Sequence, residues 1–231
     1  MVSRKSSSQA AVAPRRIAEV EAGPLGLPGT LAVPTDPRGL VVFVHGSGSS
    51  RLSPRNGYVA DALNEAGFAT LLFDLLTEEE EADRRNVFDI DLLARRLTGV
   101  VEWLETEDLV AGLPVGLFGA STGAAAALVA AERLGSRVGA IVSRGGRPDL
   151  AGEALAFVRA PVLLIVGGND TDVLSLNRIA LTRLTGDSSL SVVPGASHLF
   201  PEPGALDRVV VLACEWFETR LAGARREPAG G

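Results

Sequence analysis

The amino-acid sequence predicts an α/β fold with a mostly parallel sheet. Six apolar runs, rich in Val, Leu and Ile, read as strands buried on both faces. Segments with helical spacing of their apolar residues separate these runs, which is the pattern of a parallel sheet with crossover helices. Two further strands, separated by Gly and Pro, precede the first buried run.

The elements are predicted in a clear order along the chain. The opening strands are RIAEVEA (16–22) and the stretch around GTLAVP (29–34). The run LVVFVHG stops at a glycine, and the next segment places Val59, Leu63 and Ala66 on one helical face before Gly67 ends it. We expect buried strands at 40–46, 68–76, 113–119, 137–143, 160–168 and 189–195, helices at 53–67, 86–108, 121–135, 172–184 and 204–223, a short helix around 150–158, and a charged loop at 77–86.

Length and charge indicate one domain with two tails. The chain has 231 residues, a mass of 24.0 kDa and a formal net charge of −6. Residues 1–16 hold four basic side chains and no acidic one, so we expect a flexible basic tail, a single domain over 17–223 and a flexible tail over 224–231. The acidic body argues against nucleic-acid binding. No apolar run predicts a signal peptide or a membrane span, so we expect a cytoplasmic protein with no membrane partner.

The rare residue types exclude several kinds of chemistry. A single cysteine, Cys214, allows neither an internal disulfide nor a cysteine-based metal site, and we expect no metal. The single lysine, Lys5, lies in the predicted N-terminal tail, which argues against a Schiff-base or phosphate-loop lysine. Two histidines, His45 and His198, are then the only candidates for proton transfer by imidazole.

A G-x-S-x-G motif singles out a candidate nucleophile. Gly119-Ala120-Ser121-Thr122-Gly123 lies between a predicted buried strand and an Ala-rich helix. A sharp strand-to-helix turn of this kind exposes the serine hydroxyl above the carboxyl ends of the strands. An ordinary glycine-rich turn is the alternative, and we favour the nucleophile.

The candidate base and its orienting acid follow later strands. A serine hydroxyl needs a base, and His198 comes after the last predicted strand, whereas we expect His45 to shape the turn that follows its strand. Asp170 directly follows a buried strand and is our choice for the carboxylate that orients the histidine. Asp172 is the rival, and it could cap the next helix instead.

Backbone amides are the predicted donors to the oxyanion of the tetrahedral intermediate. The N–H of Thr122, which follows the candidate nucleophile, is one of them. The second is expected from the loop HGSGSSR, and our choice is the N–H of Ser47.

The motifs FVHGSG, GASTG, GGNDTDV and GASHLF, in this order, resemble the α/β-hydrolase superfamily. HGSGSSRLSPRN, LLFDLLTEEE, SRGGRPDL and PGASHLFPEPGAL resemble its dienelactone-hydrolase-like branch. The resemblance spans residues 17–222. It implies an eight-stranded sheet flanked by helices, ester hydrolysis without a cofactor, and a Ser–His–Asp triad that falls on Ser121, His198 and Asp170. Dienelactone hydrolase itself uses a cysteine nucleophile, a role that Ser121 would take here.

Three arginines are candidates for binding an acidic substrate group. The connection between Ser143 and Pro161 is too short for a lid domain, so we expect an open site. Arg144 and Arg147 lie in that connection, and Arg51 follows the oxyanion loop. The alternative is a structural ion pair with Asp149 or with the run Glu78–Glu81.

The sequence thus predicts a hydrolase of small carboxylic esters, acting through an acyl-enzyme on Ser121. The alternatives are amide, thioester or peroxy-acid chemistry with the same triad, or a ligand-binding module with little or no turnover. The acyl group, the alcohol and the oligomeric state are left open.

Overall fold

An eight-stranded sheet with helices on both faces forms the protein, in a computed structural model that describes residues 14–221. The strands are β1 (Arg15–Ala22), β2 (Leu27–Pro34), β3 (Leu40–Val44), β4 (Ala69–Phe73), β5 (Val115–Ala120), β6 (Val138–Arg144), β7 (Val162–Gly167) and β8 (Ser188–Val193). Their order across the sheet is β1-β2-β4-β3-β5-β6-β7-β8. Strands β3 to β8 run parallel, while β2 is antiparallel to both β1 and β4. The predicted α/β architecture is confirmed.

Six α-helices occupy the described part of the chain. They are α1 (Pro54–Glu65), α2 (Glu78–Ala82), α3 (Ile90–Leu104), α4 (Thr122–Leu134), α5 (Thr171–Arg183) and α6 (Ala205–Leu221). Helices α3, α4 and α5 contribute to the core on one face of the sheet, and α1 and α6 cover the other face. None of the helices within residues 14–221 has the length and apolar character to cross a bilayer.

Two apolar layers, one on each side of the sheet, follow from the alternation of side chains along the strands. In β3, for example, Val42 and Val44 face the layer under α3 and α4, whereas Val41 and Phe43 face α1 and α6. Both faces of the central strands are therefore buried, which explains their continuous apolar runs. All the loops that carry the predicted site residues leave the carboxyl ends of these strands.

The predicted charged loop at 77–86 is partly helical. Residues 78–82 form α2, and the Thr77 side chain accepts a hydrogen bond from the Glu80 N–H while the Glu80 carboxylate accepts one from the Thr77 N–H. This reciprocal capping box offsets the cost of a very short helix. Glu80 also pairs with Arg96 on α3, which ties the segment to the fold.

The connection after β6 contains no lid domain. Its predicted short helix is a 3₁₀ segment, Pro148–Phe157, interrupted at Gly152, where φ is +57°. The segment packs against α4 and α5, so it lies beside the fold and does not form a cap over the strand ends.

The predicted N-terminal tail is too long by at least two residues. Arg15 and Arg16 belong to β1, where they pair with Pro34 and Val33 of β2. The Arg15 guanidinium also bonds the Asp61 carboxylate at 2.8 Å, so tertiary contacts hold a segment whose composition predicts a loose tail. The rest of that predicted tail and the predicted C-terminal tail at 224–231 lie outside the described residues.

Candidate active site

Ser121 occupies the turn between β5 and α4. Its φ of +51° and ψ of −123° lie in a region that residues with a side chain rarely adopt. Three backbone hydrogen bonds hold the turn: the Ser121 N–H donates to the Arg144 carbonyl at 3.3 Å, and the Ser121 carbonyl accepts from Ala124 N–H at 3.1 Å and Arg147 N–H at 3.0 Å. The backbone on both sides of Ser121 therefore holds it in this conformation.

Steric crowding explains why the motif has glycine at positions 119 and 123. A Cβ atom at Gly123 would overlap the backbone carbonyl oxygens of Val44 and His45. One at Gly119 would lie 2.5 Å from the Ala124 Cα atom. Both positions let α4 start directly against the end of β3 and the end of its own strand, and this close approach brings the oxyanion loop next to Ser121.

His198 and Asp170 meet although 28 positions separate them in the chain. The His198 Nδ1 atom lies 2.7 Å from the Asp170 Oδ2 atom, and the Asp170 side chain is only 15% exposed. Because an ionised carboxylate only accepts, Nδ1 carries the hydrogen and Nε2 is left as an acceptor. That tautomer is the one a general base requires.

Asp170 stands at the N-cap position of α5, where an aspartate side chain normally caps the helix. Its carboxylate accepts a hydrogen bond from His198 instead. The rival Asp172 lies two residues further on, exposed in the first turn of α5. The structure therefore brings Asp170, of the two candidates, into contact with the histidine.

The loop that carries His198 is held at several points that the sequence analysis did not single out. The Asn169 side-chain amide donates to the Gly195 carbonyl at 2.8 Å, and the Glu202 carboxylate accepts from the Ser197 N–H at 3.0 Å. Hydrogen bonding from Ser197 lowers the pKa of Glu202. Phe200, two residues after His198, is buried with φ of +55°. The sequence signals for these contacts are an Asn directly before Asp170 and an acidic residue four positions after His198.

Gly145 brings the histidine loop against the serine turn. It follows Arg144, whose carbonyl bonds Ser121, and a Cβ atom at Gly145 would lie 2.9 Å from the His198 carbonyl oxygen. The ordinary side chain of any other residue would push the loop away. Ser121, His198 and Asp170 are thus gathered at one end of the sheet by backbone contacts.

The two predicted oxyanion donors belong to residues that contact each other, and one of them, the Ser47 N–H, already donates a hydrogen bond. The Ser47 N–H donates to the Thr122 Oγ1 atom at 2.9 Å. Thr122 is 5% exposed and is the first residue of α4, where helix geometry supplies no intrahelical acceptor for its own N–H. The oxyanion loop is therefore bonded to the start of α4 beside the candidate nucleophile.

Both ring nitrogens of His45 contact backbone atoms. Nδ1 lies 3.1 Å from the Gly46 carbonyl oxygen, and the Leu75 N–H donates to Nε2 at 3.1 Å. Burial lowers the pKa of His45, so the neutral ring is favoured. His45 fastens the end of β3 to the segment after β4.

The three candidate arginines have different surroundings. Arg51 forms an ion pair with Asp74 (Nε to Oδ2, 3.3 Å) and a longer one with Glu19 (3.5 Å), which argues against its predicted substrate role and for a structural one. Arg147 makes a bidentate pair with Asp149, with both contacts at 2.8 Å.

Arg144 is buried as the last residue of β6. Its one hydrogen bond is long, 3.4 Å from Nη2 to the Asn56 Oδ1 atom. Arg144 is therefore shielded from solvent and does not form the predicted ion pair with a carboxylate.

A small cleft lies beside the oxyanion loop. The oxyanion loop contributes polar atoms to its lining. The segments outside that loop contribute four apolar side chains, namely Leu75, Leu76, Val87 and Leu93. Gly46, also in this lining, is close enough to the serine turn that an added Cβ atom would lie 2.9 Å from the Ser121 Cβ atom. A partly apolar cleft thus adjoins the loop that lies next to the candidate nucleophile.

Comparison with known proteins agrees with this architecture. A family model for the α/β-hydrolase fold matches residues 39–202, more than half of the chain. A solved dienelactone hydrolase from Anabaena variabilis is 52% identical, with a TM-score of 0.87 over 91% of this chain and 100% of that one. Est1E from Butyrivibrio proteoclasticus is 16% identical, with a TM-score of 0.74 over 89% of this chain and 100% of that one, and shares the fold.

Longer relatives exist as well. A Mycobacterium tuberculosis protein named "putative phosphoribosyl transferase" is 62% identical over 205 residues, which are 89% of this chain and 46% of that protein. This chain therefore spans less than half the length of that relative. The matched family model and the Anabaena structure together establish that the chain belongs to the α/β-hydrolase family and is dienelactone-hydrolase-like.

Proposed function

We propose that this protein is a serine hydrolase of small carboxylic esters. The observation that carries the proposal is the bond between His198 Nδ1 and Asp170, at the same sheet end as the strained turn of Ser121. It leaves His198 Nε2 free to accept a proton, which is the role of the base that a serine nucleophile needs. Relatives named dienelactone hydrolase, and the esterase structures that share the fold, support ester chemistry.

The proposed reaction has two halves. In the first, the Ser121 oxygen attacks the acyl carbon while His198 Nε2 takes the serine proton, and the imidazolium then gives that proton to the leaving alcohol. In the second, His198 takes a proton from water, the hydroxide attacks the acyl-enzyme, and the proton returns to Ser121 as the acid leaves. Asp170 holds the ring and stabilises its charged form.

The oxyanion of each tetrahedral intermediate needs backbone donors. The Thr122 N–H, at the positive end of α4, is the first donor in this proposal. The Ser47 N–H is the second, and the developing negative charge must then compete with the neutral Thr122 hydroxyl for it.

A thiol mechanism has little support in this chain. Cys214 lies in α6, and burial raises its pKa to about 11, so the thiolate that attack requires is scarce at neutral pH. The name of the longer mycobacterial relative belongs to a protein of which this chain covers less than half, and we propose hydrolysis, not phosphoribosyl transfer, for the region in hand.

The test is the loss of activity in Ser121→Ala. We expect turnover of short p-nitrophenyl esters to fall to the uncatalysed level while the melting temperature stays close to that of the wild type. Exposed Ser175 offers a control, since Ser175→Ala removes a hydroxyl from α5 without touching the site. A fluorophosphonate should label the wild type and Ser175→Ala but not Ser121→Ala. Turnover by Ser121→Ala would refute the assignment, and a wild type that resists labelling would favour a ligand-binding module.

A further inference from the structure

The loop that follows β6, residues 144–147, is bonded to the backbone of the candidate nucleophile. The Arg144 carbonyl accepts from the Ser121 N–H at 3.3 Å, and the Arg147 N–H donates to the Ser121 carbonyl at 3.0 Å. Because Ser121 has a φ of +51°, its backbone keeps this conformation only while the surrounding structure holds it. The position of Ser121 therefore depends on what holds the loop 144–147.

Asn177, on α5, holds the middle of this loop. Its Nδ2 atom donates to the Gly146 carbonyl at 2.9 Å and to the Val173 carbonyl, one turn earlier in its own helix, at 2.8 Å. Asn177 is fully buried, and its Oδ1 atom has no hydrogen-bond donor among residues 14–221. Both amide hydrogens thus go to carbonyl groups, and one of these bonds crosses from α5 to the loop.

A second set of contacts packs Gly146 against the serine turn. A Cβ atom at Gly146 would lie 2.0 Å from the Ser143 Oγ atom and 2.6 Å from the Cβ atom of Ala124, in the first turn of α4. The loop therefore lies directly on the end of β6 and on the helix that follows Ser121. Gly146 contacts the start of α4 while its carbonyl is bonded to α5.

The burial of Asn177 has a cost that stability alone does not explain. A buried amide with an unpaired oxygen is unfavourable, and a leucine would fill a similar volume without that cost. The bond to the Val173 carbonyl adds little, because the backbone of α5 already supplies an acceptor and a donor at that spacing. The contact that leucine could not replace is the bond to Gly146, which points to a role at the site.

Helix α5 also carries the acid of the candidate triad. Asp170 is its N-cap residue, and Asn177 follows seven positions later, about two turns along the helix. Residues at this spacing lie on nearly the same side of a helix. The bond from Asn177 to Gly146 therefore connects the helix that positions the partner of His198 to the loop that holds Ser121.

We propose that Asn177 is a positioning residue, which sets the separation of Ser121 from the His198–Asp170 pair through its bond to the Gly146 carbonyl. Without this bond the loop 144–147 loosens, the strained turn relaxes, and the serine hydroxyl moves away from its base. A displacement of about 1 Å can cost about a hundredfold in rate, because attack and proton transfer need close alignment. The inference rests on the proposed function of Ser121 as a nucleophile, whereas the hold of Asn177 on the turn does not depend on turnover.

The kinetic test uses Asn177→Leu, which removes the amide at similar volume. We expect kcat/KM for 4-nitrophenyl butyrate and the rate constant for fluorophosphonate labelling each to fall by about a hundredfold. Well below the melting temperature, every molecule should still be labelled, only more slowly. A protein that is simply destabilised would instead label a smaller fraction at the wild-type rate. The midpoint of the pH–rate profile should stay unchanged, because the bond between His198 and Asp170 is kept.

Asn64 provides the matched control. It is buried on α1, and its Nδ2 atom donates to the Phe68 carbonyl at 2.9 Å and to the Thr70 Oγ1 atom at 3.1 Å, near the amino end of β4 and away from the strand ends that carry the site. Asn64→Leu should lower stability but keep the wild-type labelling rate. If either leucine variant does not fold, serine replaces asparagine at both positions, since a serine hydroxyl bonds a carbonyl of its own helix and is too short to cross to another segment. Wild-type kcat/KM and labelling rates in the folded Asn177 variant would overturn the proposal.

Amide hydrogen exchange tests the hold on the turn without turnover. The amides of Ser121, Ala124 and Arg147 should exchange faster in Asn177→Leu than in an Asn64 variant of similar stability. Equal exchange in the two variants would refute the proposal, and faster exchange with unchanged labelling would limit Asn177 to a structural role and refute it as well. If the wild type neither turns over the ester nor reacts with the fluorophosphonate, the hydrolase proposal fails, and the exchange rates still decide whether Asn177 holds the turn.

Discussion

The Ser47 N–H donates to the Thr122 Oγ1 atom at 2.9 Å, so the side chain next to the candidate nucleophile fixes the loop that should stabilise the oxyanion. The hydroxyl belongs to the first residue of α4 and is buried, and the loop follows β3. The bond thus joins two elements that approach each other because Gly46 and Gly123 have no side chain.

Replacing Thr122 by valine should damage both stability and catalysis. The variant keeps the shape but leaves the half-buried Ser47 N–H without its acceptor, which costs up to about 1–3 kcal/mol, the range for a buried donor. We expect a lower denaturation midpoint and a fall in kcat of about tenfold for a loosened donor. Thr122→Ser keeps the hydroxyl and should restore both. Faster turnover by Thr122→Val would mean that the hydroxyl instead withholds the Ser47 N–H from the oxyanion.

Replacing Asp170 by asparagine should separate geometry from tautomer. Asparagine fits the same space, but its amide group can donate to Nδ1 and so place the imidazole hydrogen on Nε2, where the base is needed. We expect kcat to fall by about 10³–10⁴-fold, as in serine proteases altered at this position. Asp172→Asn is the matched control and should retain activity, because Asp172 is exposed on α5. Comparable losses in both variants would contradict the assignment of Asp170.

His45 should make the fold sensitive to acid. Its pKa is lowered by burial from 6.5, so the unfolded chain binds a proton at a pH at which the folded chain does not. The stability that the neutral ring contributes is therefore present above pH 6.5 and is lost as the pH falls toward the lower folded pKa. We expect the melting temperature of the wild type to drop more steeply between pH 7 and about pH 5 than that of His45→Gln. Parallel curves for the two proteins would show that His45 does not contribute this sensitivity.

Replacement by alanine should change the stability of the fold in opposite directions at two glycines. At Gly123 the added Cβ atom meets two backbone carbonyl oxygens, so Gly123→Ala should destabilise the fold by more than about 3 kcal/mol or prevent it from forming. At Gly57, inside α1, nothing lies within 4 Å of the added atom, and Gly57→Ala should stabilise the helix by about 0.5–1 kcal/mol. Chemical denaturation measures both, and an unchanged midpoint for Gly123→Ala would contradict the packing of the turn.

Local patterns predicted the elements well where one physical effect dominated. The central strands were recognisable because both of their faces are buried, and α4 because it is rich in alanine. The charge of the segment at 77–86 predicts a loop, although Thr77 and Glu80 have the spacing of a capping box and start α2. The strand position of Arg15 could not be predicted locally, because its partner Asp61 comes from α1.

The arginines illustrate what the order of residues could not decide. Arg51, Arg144 and Arg147 were equivalent candidates, since each follows a strand or its loop. Arg147 pairs with a carboxylate only two residues away, so the sequence alone can predict this contact. Arg51 pairs with side chains from β1 and from the end of β4, and Arg144 turns into the layer under α1, where it has no carboxylate partner.

The sequence by itself determined the fold class, the serine turn and the order of the candidate triad, because these depend on runs of apolar residues and on glycines at fixed spacing. Only the tertiary structure decided which acid contacts His198, which atom holds the Ser47 N–H, and which arginine lacks a partner. These are contacts between segments that are distant in the chain, and they arise only when the parallel strands bring their carboxyl ends to one edge of the sheet.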